Sequence, residues 1–193
     1  IRCRVIVTDA NTGTSSSDLD VELSNTAPTV DSVTISSSES TGDAFNTSTL
    51  TCAATASDID GVTPTLSYAW TNGGTTVSSS ASVTLSSADA TPEDTLTCTV
   101  TATDSASGTG TGTASVTIDN RPPIVRGTGI SPTSPTTSST LSCSATVSEP
   151  DAQAFTIDYK WTQGTSTLGA GASLTLDPTF VSPNDVVQCE VTV

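Results

Sequence analysis

Histidine and methionine are both absent from this chain of 193 residues. Without histidine there is no Ser-His-Asp or Cys-His arrangement and no imidazole base. Serine is abundant, yet no Gly-x-Ser-x-Gly elbow, Ser-x-x-Lys pair or phosphate-cradling glycine loop occurs. Asp58 and Asp60 could be imagined as the two acids of a glycosidase, but on a short loop such a pair is more often a turn or a cation site. The expectation is therefore a protein that is not an enzyme. Basic residues are nearly missing as well: Arg2, Arg4, Arg121, Arg126 and Lys160 stand against 20 acidic ones, for a net charge of −15. Such a chain repels nucleic acid and anionic membrane surfaces, so neither is expected as a partner. No apolar run approaches the length of a membrane-spanning helix, and no direct membrane insertion of this segment is expected. Aromatics are only 4% of the residues, so any core is lean.

What is present is threonine and serine, together more than a third of the chain, and a repeat. Cys52, Trp70 and Cys98 recur as Cys143, Trp161 and Cys189, each 91 positions on. Tyr68 with Tyr159, Asp60 with Asp151, Pro92 with Pro183 and Asp94 with Asp185 keep the same offset. A second match at an offset of 95 pairs Cys3 with Cys98, Asp9 with Asp104, Gly13 with Gly108, Asn25 with Asn120 and Pro28 with Pro123. Self-similarity at a fixed period marks an array of like units. It predicts the last two strands of one repeat over 1–28, a complete repeat over 29–122, and a repeat lacking its last strand over 123–193.

Alternation of period two assigns the faces. Leu50, Cys52, Ala54 and Ala56 share one parity, as do Leu66, Tyr68 and Trp70, and Leu96, Cys98, Val100 and Ala102. Leu141, Cys143, Ala145 and Val147 repeat the pattern, followed by Phe155, Ile157, Tyr159 and Trp161, then Val187, Cys189, Val191 and Val193. Thr and Ser fill the opposite parity, as expected for antiparallel strands with one buried and one wet face. Gly108, Gly110 and Gly112 alternate with threonine and read as a flexible hairpin turn.

The Cys…Trp…Cys order, with the cysteines on the second and sixth strands and the tryptophan on the third, resembles the immunoglobulin superfamily. Two residues before the second cysteine, where antibody domains carry a tyrosine, stand Leu96 and Val187. A closer resemblance is to the Ig-like, PKD-like and cadherin-like repeats of prokaryotic surface proteins. It is carried by Asp58-Ile-Asp60-Gly61, Tyr68-Ala-Trp70-Thr-Asn-Gly-Gly, Val100-Thr-Ala-Thr-Asp104 and Asn120-Arg-Pro-Pro123. The resemblance implies an all-β fold of tandem immunoglobulin-like antiparallel β-sandwiches with intersheet disulfides Cys52–Cys98 and Cys143–Cys189, leaving Cys3 unpaired in this window. A zinc site is the other use of cysteines, but neither CxxC spacing nor histidine supports it.

In sandwiches of this kind the loop after the second strand, the loop after the sixth and the incoming linker meet at one end. That would gather Asn25, Asp58, Asp60 and Asp104 at one junction, and Asp119, Asn120, Glu149 and Asp151 at the next. Carboxylate and amide oxygens so placed suit Ca²⁺; equally, they are the ordinary residues of turns. Asn46-Thr47-Ser48 is a candidate glycan acceptor, or a polar turn. The resemblance implies a structural or adhesive protein of the cell surface or exterior, a stalk, sheath or filament built by end-to-end stacking. Its partners would be neighbouring repeats and other copies of itself. The alternatives are a module binding a surface glycan or protein, and a spacer within a larger secreted enzyme.

Overall fold

The description covers all 193 residues and rests on a computed structural model of the chain. The chain is all-β, with 15 strands and no helix. Threonine, valine and isoleucine dominate its strands, and their branched side chains fit a pleated surface better than a helical one. The first two strands, β1 (Arg2–Thr8) and β2 (Thr14–Asp20), form an antiparallel hairpin pairing Arg2 with Asp20 through Thr8 with Thr14.

Seven strands follow: β3 (Thr29–Ser37), β4 (Thr49–Ser57), β5 (Thr65–Asn72), β6 (Thr75–Ser78), β7 (Ser82–Thr84), β8 (Thr95–Thr103) and β9 (Thr109–Thr117). They make one sheet in the order β3-β4-β7 and another in the order β6-β5-β8-β9. The last six are β10 (Ile124–Ser131), β11 (Thr140–Ser148), β12 (Asp158–Gln163), β13 (Ser166–Ala170), β14 (Ser173–Thr175) and β15 (Val187–Thr192). Their sheets, β10-β11-β14 and β13-β12-β15, repeat the earlier order but stop at β15, where the earlier set has β9 beside β8.

The alternation appears as expected. On β8, Leu96, Cys98, Val100 and Ala102 are all fully buried, while the threonines between them are not. Cys52 on β4 is bonded to Cys98 on β8, and Cys143 on β11 to Cys189 on β15, so each disulfide joins two different sheets. Disulfides of this kind belong to a protein matured in a non-reducing environment. Cys3 is free and exposed. Phe155 departs from the expected parity: it precedes β12 and is 44% exposed.

The chain divides into two compact units, Ile1–Ser36 with Thr51–Val83 and Thr97–Val116, and Ser37–Leu50 with Thr84–Leu96 and Thr117–Val193. In the first unit Trp70 is fully buried and its Nε1–H donates to the Ser80 carbonyl at 3.1 Å, while Cys52 N–H donates to Ala81 O. In the second unit Trp161 is likewise buried, its Nε1–H donating to Gly171 O at 2.9 Å, and Cys143 N–H donates to Ala172 O. Leu141, Cys143, Leu176 and Val181 pack with Trp161 in one core cluster of that unit. Other bonds recur at the same offset. Leu85 N–H to Ser48 O answers to Leu176 N–H to Ser139 O, both 2.9 Å, and Asp94 N–H to Thr91 O answers to Asp185 N–H to Ser182 O, both 3.1 Å. The 91-residue period is thus a period of backbone geometry and not only of letters.

Candidate functional site

The residues singled out at the loop ends have specific occupations. In the first unit Asp104 closes the turn between β8 and β9. Its Oδ1 accepts the N–H groups of Ala106 and Gly108, each at 2.8 Å, and its Oδ2 accepts from Asn25 Nδ2 at 2.9 Å. The Asn25 amide, assisted by those two backbone donors, holds the Asp104 carboxyl below the usual carboxylate value against the opposing effect of burial. The same turn occurs at Asp9, whose Oδ1 accepts from Asn11 N–H at 2.9 Å and Gly13 N–H at 2.8 Å. Both turns place a non-glycine residue at positive φ, Thr12 at 68° and Ser107 at 71°.

Of the glycines read as a hairpin turn, Gly108 does lie in the turn between β8 and β9, but Gly110 and Gly112 do not. Gly110 and Gly112 lie within β9, where Pro28 and Val30 come so close that a Cβ on Gly110 would overlap the Pro28 carbonyl oxygen and one on Gly112 would lie 2.7 Å from Val30 Cγ1. Backbone approach requires these glycines, and turn flexibility does not.

Asp60 is exposed, and its Oδ2 accepts the backbone N–H of Thr26 at 2.6 Å. Asp58 Oδ1 accepts Asp60 N–H at 2.8 Å, and its Oδ2 is buried without a hydrogen-bond partner. No group of three or more His, Cys, Asp or Glu side chains is arranged to hold a metal ion.

The second unit builds something different from matching positions. Asp151 is 1% exposed and receives three donors from Arg121: the backbone N–H to Oδ2 at 2.6 Å, Nε to Oδ1 at 2.8 Å and Nη2 to Oδ1 at 2.7 Å. Nη2 also lies 3.0 Å from both Asn46 Oδ1 and Pro150 O. The guanidinium sits over the Phe45 ring, 4.8 Å from its centre, within cation–π range. Asn46 Nδ2 donates to Asp151 O at 2.8 Å, and Glu149 Oε1 accepts Asp151 N–H at 3.0 Å. Both oxygens of the Asp151 carboxylate are taken by Arg121, Oδ1 by its guanidinium and Oδ2 by its backbone N–H.

Asn46, the candidate glycan acceptor, is 0% exposed, with both ends of its amide engaged by Asp151 O and the Arg121 guanidinium. Asp119 Oδ2 accepts Ala44 N–H at 3.0 Å, and its own N–H donates to Ala44 O at 2.6 Å; Asn120 is exposed. Sequence reasoning grouped the acids of this junction but missed Arg121 as their partner. The signal was available: Arg121 is one of five basic residues and stands where the earlier linker has Thr26.

One contact is common to both places. Asp60 Oδ2 with Thr26 N–H and Asp151 Oδ2 with Arg121 N–H are the same bond at the same 2.6 Å, between positions related by the two sequence offsets. A scan against protein-family models finds no match, and a search of curated proteins finds no significant similarity.

Proposed function

We propose that the chain is a segment of an extracellular, non-catalytic repeat protein, in which tandem immunoglobulin-like sandwiches stack end to end as a stalk, sheath or filament. The repeats are those over 29–122 and 123–193, preceded by the closing hairpin of another over 1–28. The observation that carries this reading is the recurring clamp: a loop aspartate accepts the amide of the linker residue that precedes the next repeat's first strand. A linker pinned in this way loses the freedom of an ordinary connecting segment. Arg121-Pro122-Pro123 is stiffened further, since each proline fixes its own φ and restrains the residue before it. The two disulfides favour an exterior location, and the acidic surface favours solubility there.

Electron microscopy of the native material tests the proposal. Ordered fibres or arrays are the expected result, and isolated flexible particles would contradict it.

A further inference from the structure

Arg121 and Asp151 stand on the same side of the joint, so the bond between them lies within one repeat. What reaches them from the repeat before is a single turn, residues 44–48, just ahead of β4. Asn46 Oδ1 accepts from Arg121 Nη2 at 3.0 Å, Asn46 Nδ2 donates to Asp151 O at 2.8 Å, and the Phe45 ring faces the guanidinium at 4.8 Å. These residues all lie in one compact unit. The matching turn, 91 positions on, has the same backbone. Ser48 N–H donates to Phe45 O and Phe45 N–H to Ser48 Oγ, both at 3.0 Å; Ser139 N–H donates to Thr136 O at 3.1 Å and Thr136 N–H to Ser139 Oγ at 2.8 Å. Its side chains are different. Thr136 and Thr137 stand where the earlier turn has Phe45 and Asn46. Pro135, with no N–H to donate, replaces Ala44, whose N–H goes to Asp119 Oδ2. The linkers differ too, Thr26 standing 95 positions before Arg121.

We infer that the turn at 44–48 is a selective receptor for the repeat that follows it, accepting a linker with arginine at the place of Arg121 and disfavouring one with threonine there. The linker carrying Thr26 is of the second kind, so the repeat over 29–122 disfavours a copy of itself as its own successor. The selection acts through a penalty. Asn46 is 0% exposed, and a threonine linker leaves its Oδ1 without a donor. A buried acceptor left unpaired costs more than its hydrogen bond contributes, and that difference separates the right partner from the wrong one. Arg121 serves Asn46, Pro150 O and Asp151 from one planar fork, which the point charge of a lysine does not reproduce. Neighbouring repeats of like sequence are prone to assemble wrongly, and a keyed joint fixes the order in which they stack.

The inference rests on the stacking reading given above. Its test is amide hydrogen exchange of the full chain, read as protection of the residue-121 N–H, which arginine and threonine alike can donate to Asp151. Arg121→Thr should lower that protection in the native turn. The loss should be about tenfold smaller in the Phe45→Thr/Asn46→Thr background, where neither a buried amide nor a ring awaits the guanidinium. Arg121→Lys, which keeps the charge, should resemble Arg121→Thr more than the wild type. The Cys143 N–H, bonded to Ala172 O, is the internal reference and should keep its protection throughout. Equal losses for Arg121→Thr in the two backgrounds overturn the inference, because the turn then does not read the linker. So does wild-type protection in Arg121→Lys, which makes charge alone sufficient, and so does a loss shared by Cys143, which is unfolding and not an opened joint. Every variant retains the backbone donor to Asp151, and stacking itself is judged by microscopy of the native material, so the two readings fail separately.

Discussion

Replacing Arg121 with alanine should be among the most damaging single changes outside the disulfides. The substitution keeps the backbone N–H bond to Asp151 but deletes both side-chain bonds to its carboxylate, and it leaves Asn46 Oδ1 without its donor at a wholly buried site. Breaking one side of a buried ion pair costs about 3–5 kcal/mol, because the other charge is left uncompensated. The Arg121 side chain is 27% exposed while that of Asp151 is 0%, so water can reach the vacated space and the lower end, about 3 kcal/mol, applies. For a chain of this size that corresponds to a fall of roughly 6–12 °C in melting midpoint. Thr26→Ala is the internal control. Its amide makes the same bond to an exposed aspartate, its side chain makes none, and a change below about 0.5 kcal/mol is expected. Urea unfolding of both variants, followed by tryptophan fluorescence, provides the comparison. Equal, small effects for the two would refute the view that Arg121 is a buried counterion and not merely a surface residue.

Three further outcomes follow from other parts of the molecule. Removing either disulfide should cost about 4 kcal/mol by chain entropy, and the two losses should be alike because both bridges span 46 positions; paired Cys→Ala variants compared by denaturant midpoint check this. Gly110→Ala should destabilise by about 1–3 kcal/mol because its Cβ meets the Pro28 backbone, whereas Gly127→Ala, with nothing within 4 Å, should be neutral or slightly stabilising. Asp104, Asp20 and Asp177 are held below the ordinary carboxylate value by Asn25, by Arg2 and by the Thr179 backbone and hydroxyl respectively. Their contribution to stability is thus complete above the unfolded value of 3.8 and is lost as pH falls through the depressed folded values. Asn25→Ala should flatten that acid limb in a plot of stability against pH; an unchanged limb would count against the Asn25–Asp104 bond.

Much of the fold was legible because it is local. Period-two alternation fixed the buried faces of β4, β8 and β11, and the resemblance carried by the Cys-Trp-Cys order implied both disulfides, which the structure forms across sheets. Phe155 was misread because alternation was carried upstream of β12, where no strand pairing enforces it. The candidate sites were harder to read because their partners are remote. Asn46 reaches Arg121 and Asp151 across 75 and 105 positions, and no local pattern announces those contacts. A glycan acceptor motif specifies three residues and says nothing about burial. Gly110 and Gly112 look like turn residues in sequence because closeness to Pro28 and Val30 is a property of the packed chain. Asp60 and Asp151 were rightly paired by the repeat, yet one is exposed and the other sealed under a guanidinium, a difference set by a single linker residue.

The clamp at the linker is the physical basis of the account, and residual dipolar couplings of backbone N–H groups test it most directly. Residues 37–50 and 140–193 lie on either side of the Arg121 clamp within one compact unit. A single alignment tensor should fit both groups in the wild-type chain, and two separate tensors should be needed for Arg121→Ala. A wild-type chain that already requires two tensors would contradict the claim that these junctions are pinned.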